Sequence, residues 1–283
     1  MLSALDHTVL ICPDIEAGTS TYETLLGRKA DWISHDEQSG AATAVFTVQG
    51  CSLELFAPLE SGPVATRLKE LLDPNGPRLT TLAWRTNDIE ETRRVLMRRG
   101  LNPSEIGAGS SRDVRTGNER LWQRVRIPDE ASAGVKTFIL DYETPLPDIV
   151  EYGPGSVSGL DHVVLQTPNP DRAAAIYGAR FDIRMALDRT FEDWKTRLMF
   201  FRCGGLTLEV AHRFEPKPDA DAADTLWGMS WIVPDLEAAH NRLKASSLEV
   251  SEIRKGRRPA TRVFTVKSGT LNVPTLFIQH LSE

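Results

Sequence analysis

The chain has 283 residues, enough for about two domains of roughly 150 residues each. Its 33 basic and 39 acidic residues leave a net charge of −6, which argues against a nucleic-acid or anionic-membrane partner. A content of 41% hydrophobic and 25% charged residues is that of an ordinary globular protein with a sizeable core. No apolar run approaches the roughly 18 to 20 residues of a membrane span. Met1 to Leu10 carries neither the basic nor the apolar region of a signal peptide. The three cysteines, Cys12, Cys51 and Cys203, lack metal-type spacing and suit reduced thiols that pack. A cytoplasmic protein is expected.

In chain order, four short apolar or alternating runs open four similar segments: His7 to Ile11, Leu82 to Arg85, His162 to Gln166 and Met229 to Val233. Each is followed by a Pro-Asp, Asn-Asp or Pro-Asn-Pro-Asp element, which is turn and helix N-cap chemistry. About a dozen residues at helical spacing come next, as in Ile89, Thr92, Val95 and Leu96 or Leu236, Ala239 and Leu243. Three β-type runs complete the unit, placed in the third segment at Arg184 to Leu187, Thr196 to Arg202 and Thr207 to Ala211. The unit is βαβββ, used four times. A Pro- and Gly-rich linker, Pro145 to Gly159, separates two domains expected at 1–150 and 158–283.

The halves repeat. Ser3-Ala4-Leu5-Asp6-His7 returns as Ser158-Gly159-Leu160-Asp161-His162, an offset of 155. The same offset matches Pro13 with Pro168, Tyr22 with Tyr177, Phe46 with Phe201, Gly50 with Gly205 and Glu54 with Glu209. Leu82-Ala83-Trp84-Arg85 resembles Met229-Ser230-Trp231-Ile232 at an offset of 147, and the register then slips, so the second half has lost residues in a loop. This is an internal duplication. Trp84 and Trp231, at matched positions, are expected in the core.

Four βαβββ units opened by Leu5-Asp6-His7 and Leu160-Asp161-His162, with Leu53-Glu54-Leu55 and Leu208-Glu209-Val210 closing theirs, resemble the vicinal oxygen chelate superfamily. Its members include glyoxalase I, extradiol dioxygenases and bleomycin-binding proteins. The resemblance covers essentially the whole chain. It implies an α+β fold of four βαβββ modules paired into two curved, glyoxalase-like eight-stranded sheets.

The resemblance also implies a cup in each pair of units, with metal ligands on the first and last strand of each unit. Carried onto this sequence, those positions are His7 and Glu54, then Thr81 and Asp141, then His162 and Glu209, then Gly228 and Gln279. If adjacent units pair, the ligand sets are His7, Glu54, Asp141 and His162, Glu209, Gln279. Outer-with-inner pairing gives His7, Glu54, Gln279 and Asp141, His162, Glu209; joining the first and third units gives a His2Glu2 site. Imidazole with carboxylate suits a divalent ion such as Zn, Fe, Mn, Ni or Co, and one or both cups without metal is the alternative. A carboxylate inside an apolar strand needs a cation, a donor or a proton. The two repeated glutamates, Glu54 and Glu209, are therefore also candidates for a proton-transfer base.

The extradiol ligand triad of that superfamily is missing, since the fourth unit has Gly228 and Gln279. The expected activity is accordingly metal-assisted proton transfer, as in a lyase or isomerase, on a small organic substrate with adjacent oxygens. A ring-cleaving Fe(II) dioxygenase with altered ligands and a non-catalytic binding or resistance protein are the rivals. Trp122 and Trp194 are candidates to line an aromatic pocket. Arg257, in the run Arg254 to Arg258, is either a solvated loop residue or part of an anion-binding lid, and Arg112, Arg115, Arg120, Arg124 and Arg126 share that ambiguity. His212 and His280 fall out of phase with the cup, and His35 and His240 are expected in solvent. The partner is a small molecule, with a homodimer left open.

Overall fold

The computed structural model describes residues 1–146 and 148–281; Pro147 of the expected linker and the last two residues of the expected second domain lie outside them. Among the described residues sixteen strands form two eight-stranded mixed sheets. The first unit contributes β1 (Ala4–Ile11), β2 (Trp32–Asp36), β3 (Ala41–Val48) and β4 (Cys51–Pro58). The second contributes β5 (Arg78–Arg85), β6 (Gly107–Arg112), β7 (Glu119–Ile127) and β8 (Lys136–Tyr142). Their order, β2-β3-β4-β1-β5-β8-β7-β6, joins the two units through an antiparallel β1–β5 pair. The second sheet repeats this as β10-β11-β12-β9-β13-β16-β15-β14. Its strands are β9 (Gly159–Gln166), β10 (Arg184–Phe191), β11 (Thr196–Cys203), β12 (Leu206–Arg213), β13 (Thr225–Ile232), β14 (Arg254–Lys255), β15 (Thr261–Val266) and β16 (Thr275–His280). Adjacent units pair, so the outer-with-inner and first-with-third arrangements are not formed.

Helices α1 (Ile15–Leu26), α3 (Ile89–Arg98) and α5 (Leu236–Ala245) follow the first strands of their units. Each begins at an aspartate, Asp14, Asp88 or Asp235, whose carboxylate accepts from a backbone N–H one turn on. In the third unit, Asn169 caps a single turn, α4 (Pro170–Ala173), which continues as a π-helix over Ala174–Arg180. One element has no sequence counterpart above: α2 (Pro63–Leu72), with Pro63 at its first position, lies between β4 and β5. No helix sits at the matching place in the second half, which accounts for the offset falling from 155 to 147. Further shortening falls at β14, only two residues long where β6 has six. Among the described residues no helix is long and apolar enough to cross a membrane.

Burial alternates residue by residue along β4: Cys51, Leu53, Leu55 and Ala57 are buried while Ser52, Glu54, Phe56 and Pro58 line the concave face. β12 alternates likewise, with Leu206, Leu208 and Val210 inward. The buried faces of both sheets and the helices merge into one core that contains Trp84 and Trp231. The halves are stitched by Gln49, whose backbone exchanges hydrogen bonds with Ser158 and Leu160, and by Arg242, which donates to the Leu25 carbonyl at 2.9 Å.

Candidate functional site

The first cup owes its chemistry to an irregularity in β1. Leu5 pairs with Trp84 and His7 with Ala83, so Asp6 is an extra residue opposite no partner, a β-bulge. The bulge turns Asp6 and His7 toward each other, and His7 Nδ1 lies 2.8 Å from Asp6 Oδ1. Arg85 grips the other oxygen, Nε at 2.9 Å and Nη2 at 2.7 Å, while the Tyr142 hydroxyl donates to Oδ1 at 3.0 Å. With Nδ1 committed to a carboxylate, Nε2 is the free face of the imidazole. It points to Glu54, 3.8 Å from Oε2.

Charge and burial set these groups against one another. Burial pushes the Asp6 carboxyl up, but its hydrogen bond from His7 and the charges of His7 and Arg85 hold it below the usual carboxylate range. Burial pulls His7 down; the Asp6 hydrogen bond and the negative charges of Glu54 and Asp6 overcome it and raise the imidazole. Glu54 is raised by burial, against the opposing pull of His7, Arg120 and Arg124. Both members of the His–Glu pair are thus raised above their ordinary values. The surrounding pocket, about 270 Å3, is also lined by Arg120, Val45 and Leu146.

The second cup repeats the wall. Asp161 is unpaired in the β9–β13 ladder, His162 Nδ1 lies 2.7 Å from its Oδ2, and His162 Nε2 is 3.7 Å from Glu209 Oε2. Burial opposes both shifts, yet mutual hydrogen bonding and charge lower Asp161 and raise His162. The partners differ. His280 takes the place of Tyr142, its Nε2 2.7 Å from Asp161 Oδ1, and the Ser230 hydroxyl lies 2.7 Å from His162 Nε2. Ile232 stands where Arg85 stands in the first cup.

A family model described as "Glyoxalase-like domain" matches residues 5–181. The chain belongs to the glyoxalase-like family. A second model, "Glyoxalase/Bleomycin resistance protein/Dioxygenase superfamily", matches residues 161–265, so two such domains stand in tandem in this vicinal oxygen chelate protein. Solved structures share its fold at low identity. A variant of 4-hydroxymandelate synthase from Streptomyces coelicolor is 13% identical, with TM-score 0.67, over 100% of this chain and 94% of that one. A hypothetical protein from Staphylococcus aureus is 9% identical, with TM-score 0.65, over 99% and 100%. BphC, a halotolerant catechol dioxygenase, is 13% identical, with TM-score 0.62, over 99% and 87%. No curated protein matches the chain significantly.

Within this glyoxalase-like frame, the two remaining ligand candidates do not join the His–Glu pairs. The register that sets His7 opposite Ser52 sets Thr81 opposite Lys136, which makes Phe138 the counterpart of Glu54. By the same pairing Leu276 is the counterpart of Glu209. Asp141 lies on the opposite face of β8, where its Oδ2 accepts from the Ile89 N–H at the start of α3, 3.1 Å. Gln279 likewise turns away, its Nε2 donating to the Pro234 carbonyl at 2.6 Å. Asp141 and Gln279 thus lie three residues beyond Phe138 and Leu276, the strand-pairing counterparts of Glu54 and Glu209.

A three-ligand divalent metal site therefore does not fit either cup. One unit of each pair brings a His and a Glu; its partner brings Thr81 and Phe138, or Gly228 and Leu276. Among the described residues no group of three or more His, Cys, Asp or Glu side chains could hold a metal ion. The space near Glu54 instead faces the guanidinium groups of Arg120 and Arg124, the latter 5.8 Å from the Phe138 ring centroid.

Of the aromatic candidates, Trp122 packs beside Tyr142 with ring centroids 6.1 Å apart. Trp194 stacks on Phe191 at the rim of the second cup, and Arg257 covers it at 4.0 Å. Two expectations about histidines are corrected. His280 faces the cup, because the phase is set by Tyr142 and His280 rather than by Asp141 and Gln279. His240 is buried, bonded to the Ser251 carbonyl at 3.1 Å and edge-on to Phe264. Asp6, Asp161, Arg85 and Tyr142 are not singled out by the sequence reading, although Asp6 and Asp161 stand inside the repeated Leu-Asp-His motif that signals the duplication.

Proposed function

We propose that this glyoxalase-like protein is an enzyme that moves a proton on a small organic substrate with adjacent oxygens, a lyase- or isomerase-type reaction centred on the first cup. The observation that carries this reading is the His7–Glu54 pair, recessed in a pocket and fixed from behind by Asp6. In the forward step the Glu54 carboxylate takes a proton from a carbon next to a substrate carbonyl. The C–H bond breaks, and its electron pair moves onto the carbonyl oxygen as an enolate. Arg120, a cation in the same pocket, stabilises that oxygen's charge. Glu54 or protonated His7 then returns the proton, to the same carbon from the other face or to its neighbour. Asp6 holds the imidazole tautomer with Nε2 toward the reacting atoms, and Arg85 and Tyr142 keep Asp6 in place.

The test is hydrogen–deuterium exchange at carbon, followed by proton NMR, with 2-hydroxy and 2-oxo acids as probes in heavy water. Exchange by the wild type that is lost in Glu54→Gln supports the reading. Equal exchange by both proteins, or none by the wild type with any probe, overturns it.

A further inference from the structure

The mouth of the second cup holds a cluster of charge that the catalytic proposal does not use. A pocket of about 500 Å3 is lined by Arg184 of β10, Arg202 of β11 and Arg258 of the β14–β15 loop, together with the Gly204-Gly205 turn and Asp161. Arg184 and Arg202 are direct partners in the β10–β11 ladder. Like charges directly opposite each other on adjacent strands are destabilising. Other arginines of this half are paired with acids: Arg172 with Asp224, Arg197 with Asp188 and Asp171, Arg262 with Glu237. Arg184, Arg202 and Arg258 form no ion pair among the described residues. The one acid in their pocket, Asp161, is already bonded to His162 and His280. Nor does the fold require the cluster, since Thr47 stands at the position of Arg202 in the first half.

From these observations we infer that this pocket is a binding site for a phosphate-type dianion, held between guanidinium groups from three separate segments. Planar guanidinium forks match pairs of phosphate oxygens, and three of them in one pocket match a doubly charged group better than a single carboxylate. The dianion supplies the negative charge that the ladder lacks. Within the basic run that starts at the edge strand β14, Arg258 reaches the pocket while Arg257 is anchored on Trp194. The site does not depend on proton transfer in the first cup, so either reading fails alone.

Isothermal titration of the full chain at low ionic strength tests it, with inorganic phosphate, pyrophosphate and succinate as probes. Saturable binding of phosphate or pyrophosphate at one site per chain, weakened by added salt, is the expected result. Arg202→Gln and Arg258→Gln each lower affinity about tenfold, the loss of one hydrogen-bonded charge, and Arg126→Gln leaves it unchanged. Arg184→Gln/Arg202→Gln abolishes binding while melting at or above the wild-type temperature, because the like-charge pair is gone. No saturable phosphate binding, tighter binding of succinate than of phosphate, or unchanged affinity in both single variants overturns the proposal.

Discussion

The two cups share a wall and differ at the rim. In the first, the edge strands β2 and β6 are tied together: Trp32 Nε1 donates to Ser111 Oγ at 2.8 Å, and the Ile33 N–H donates to Asp113 Oδ2 at 2.9 Å. Asp113 is buried and also accepts from the backbone of Arg115 and Thr116, so the tie has a rigid post. Arg120 lies over the Trp32 ring at 4.0 Å and closes the inside of that seam. In the second cup β14 is only two residues long, and Arg257 lies over the Trp194 ring at 4.0 Å. Duplication thus kept the Asp–His–Glu wall, where a bulge and three side chains depend on one another, and let the rim diverge. The closed cup encloses the His7–Glu54 pair; the open cup presents arginines to solvent.

The comparison can be broken in several places. The largest effect is expected from Glu54→Gln, which lowers carbon–deuterium exchange about a hundredfold or more, the usual contribution of a general base. Glu209→Gln produces a smaller loss in the same assay, and equal losses would erase the distinction between the cups. Next is Asp113→Ala, which opens the first rim and lowers unfolding free energy by about 3 kcal/mol in urea titrations, since three backbone N–H groups lose the buried carboxylate that accepts from them. Asp113 is depressed to about 2 in the folded state, so its stabilisation is present above its ordinary value of 3.8 and is lost as pH falls through about 2. Acid titration of wild type against Asp113→Asn reads that window directly.

Smaller differences separate the two aspartates. Asp6→Asn costs about 2 kcal/mol and Asp161→Asn about 1 kcal/mol, because the Asp6 side chain is 5% exposed and gripped by Arg85, whereas that of Asp161 is 21% exposed. A double-mutant comparison by thermal melting checks the order. Both cup histidines are raised, so their stabilisation is full below the ordinary value of 6.5 and is lost as pH rises through the folded values. His7→Gln and His162→Gln each flatten part of the resulting fall in Tm on the alkaline side. The smallest effect is expected at the open rim: Arg257→Ala costs about 0.5 kcal/mol, the worth of an exposed cation–ring contact.

The sequence by itself determined the modular plan. Its repeat at 155 residues, its N-cap aspartates and its alternating Glu54 and Glu209 strands state local rules, and local rules survive in every copy. Period-two alternation places Glu54 and Glu209 on the face opposite Leu53 and Leu208; their pairing with His7 and His162 is implied by the resemblance to the vicinal oxygen chelate superfamily. Only the tertiary structure decided what completes them. Which residue of β8 faces His7 depends on the hydrogen-bond register between β5 and β8, strands separated by α3 and two further strands. An odd change of register moves a side chain to the other face, so Asp141 and Gln279 turn away while Tyr142 and His280 reach Asp6 and Asp161. The bulge at Asp6 is equally invisible along the chain, because an extra residue is extra only relative to the partner strand. The charge total conceals as much. A chain of net charge −6 still gathers Arg184, Arg202 and Arg258 in one pocket, because strand pairing and loop closure, not composition, set which charges meet.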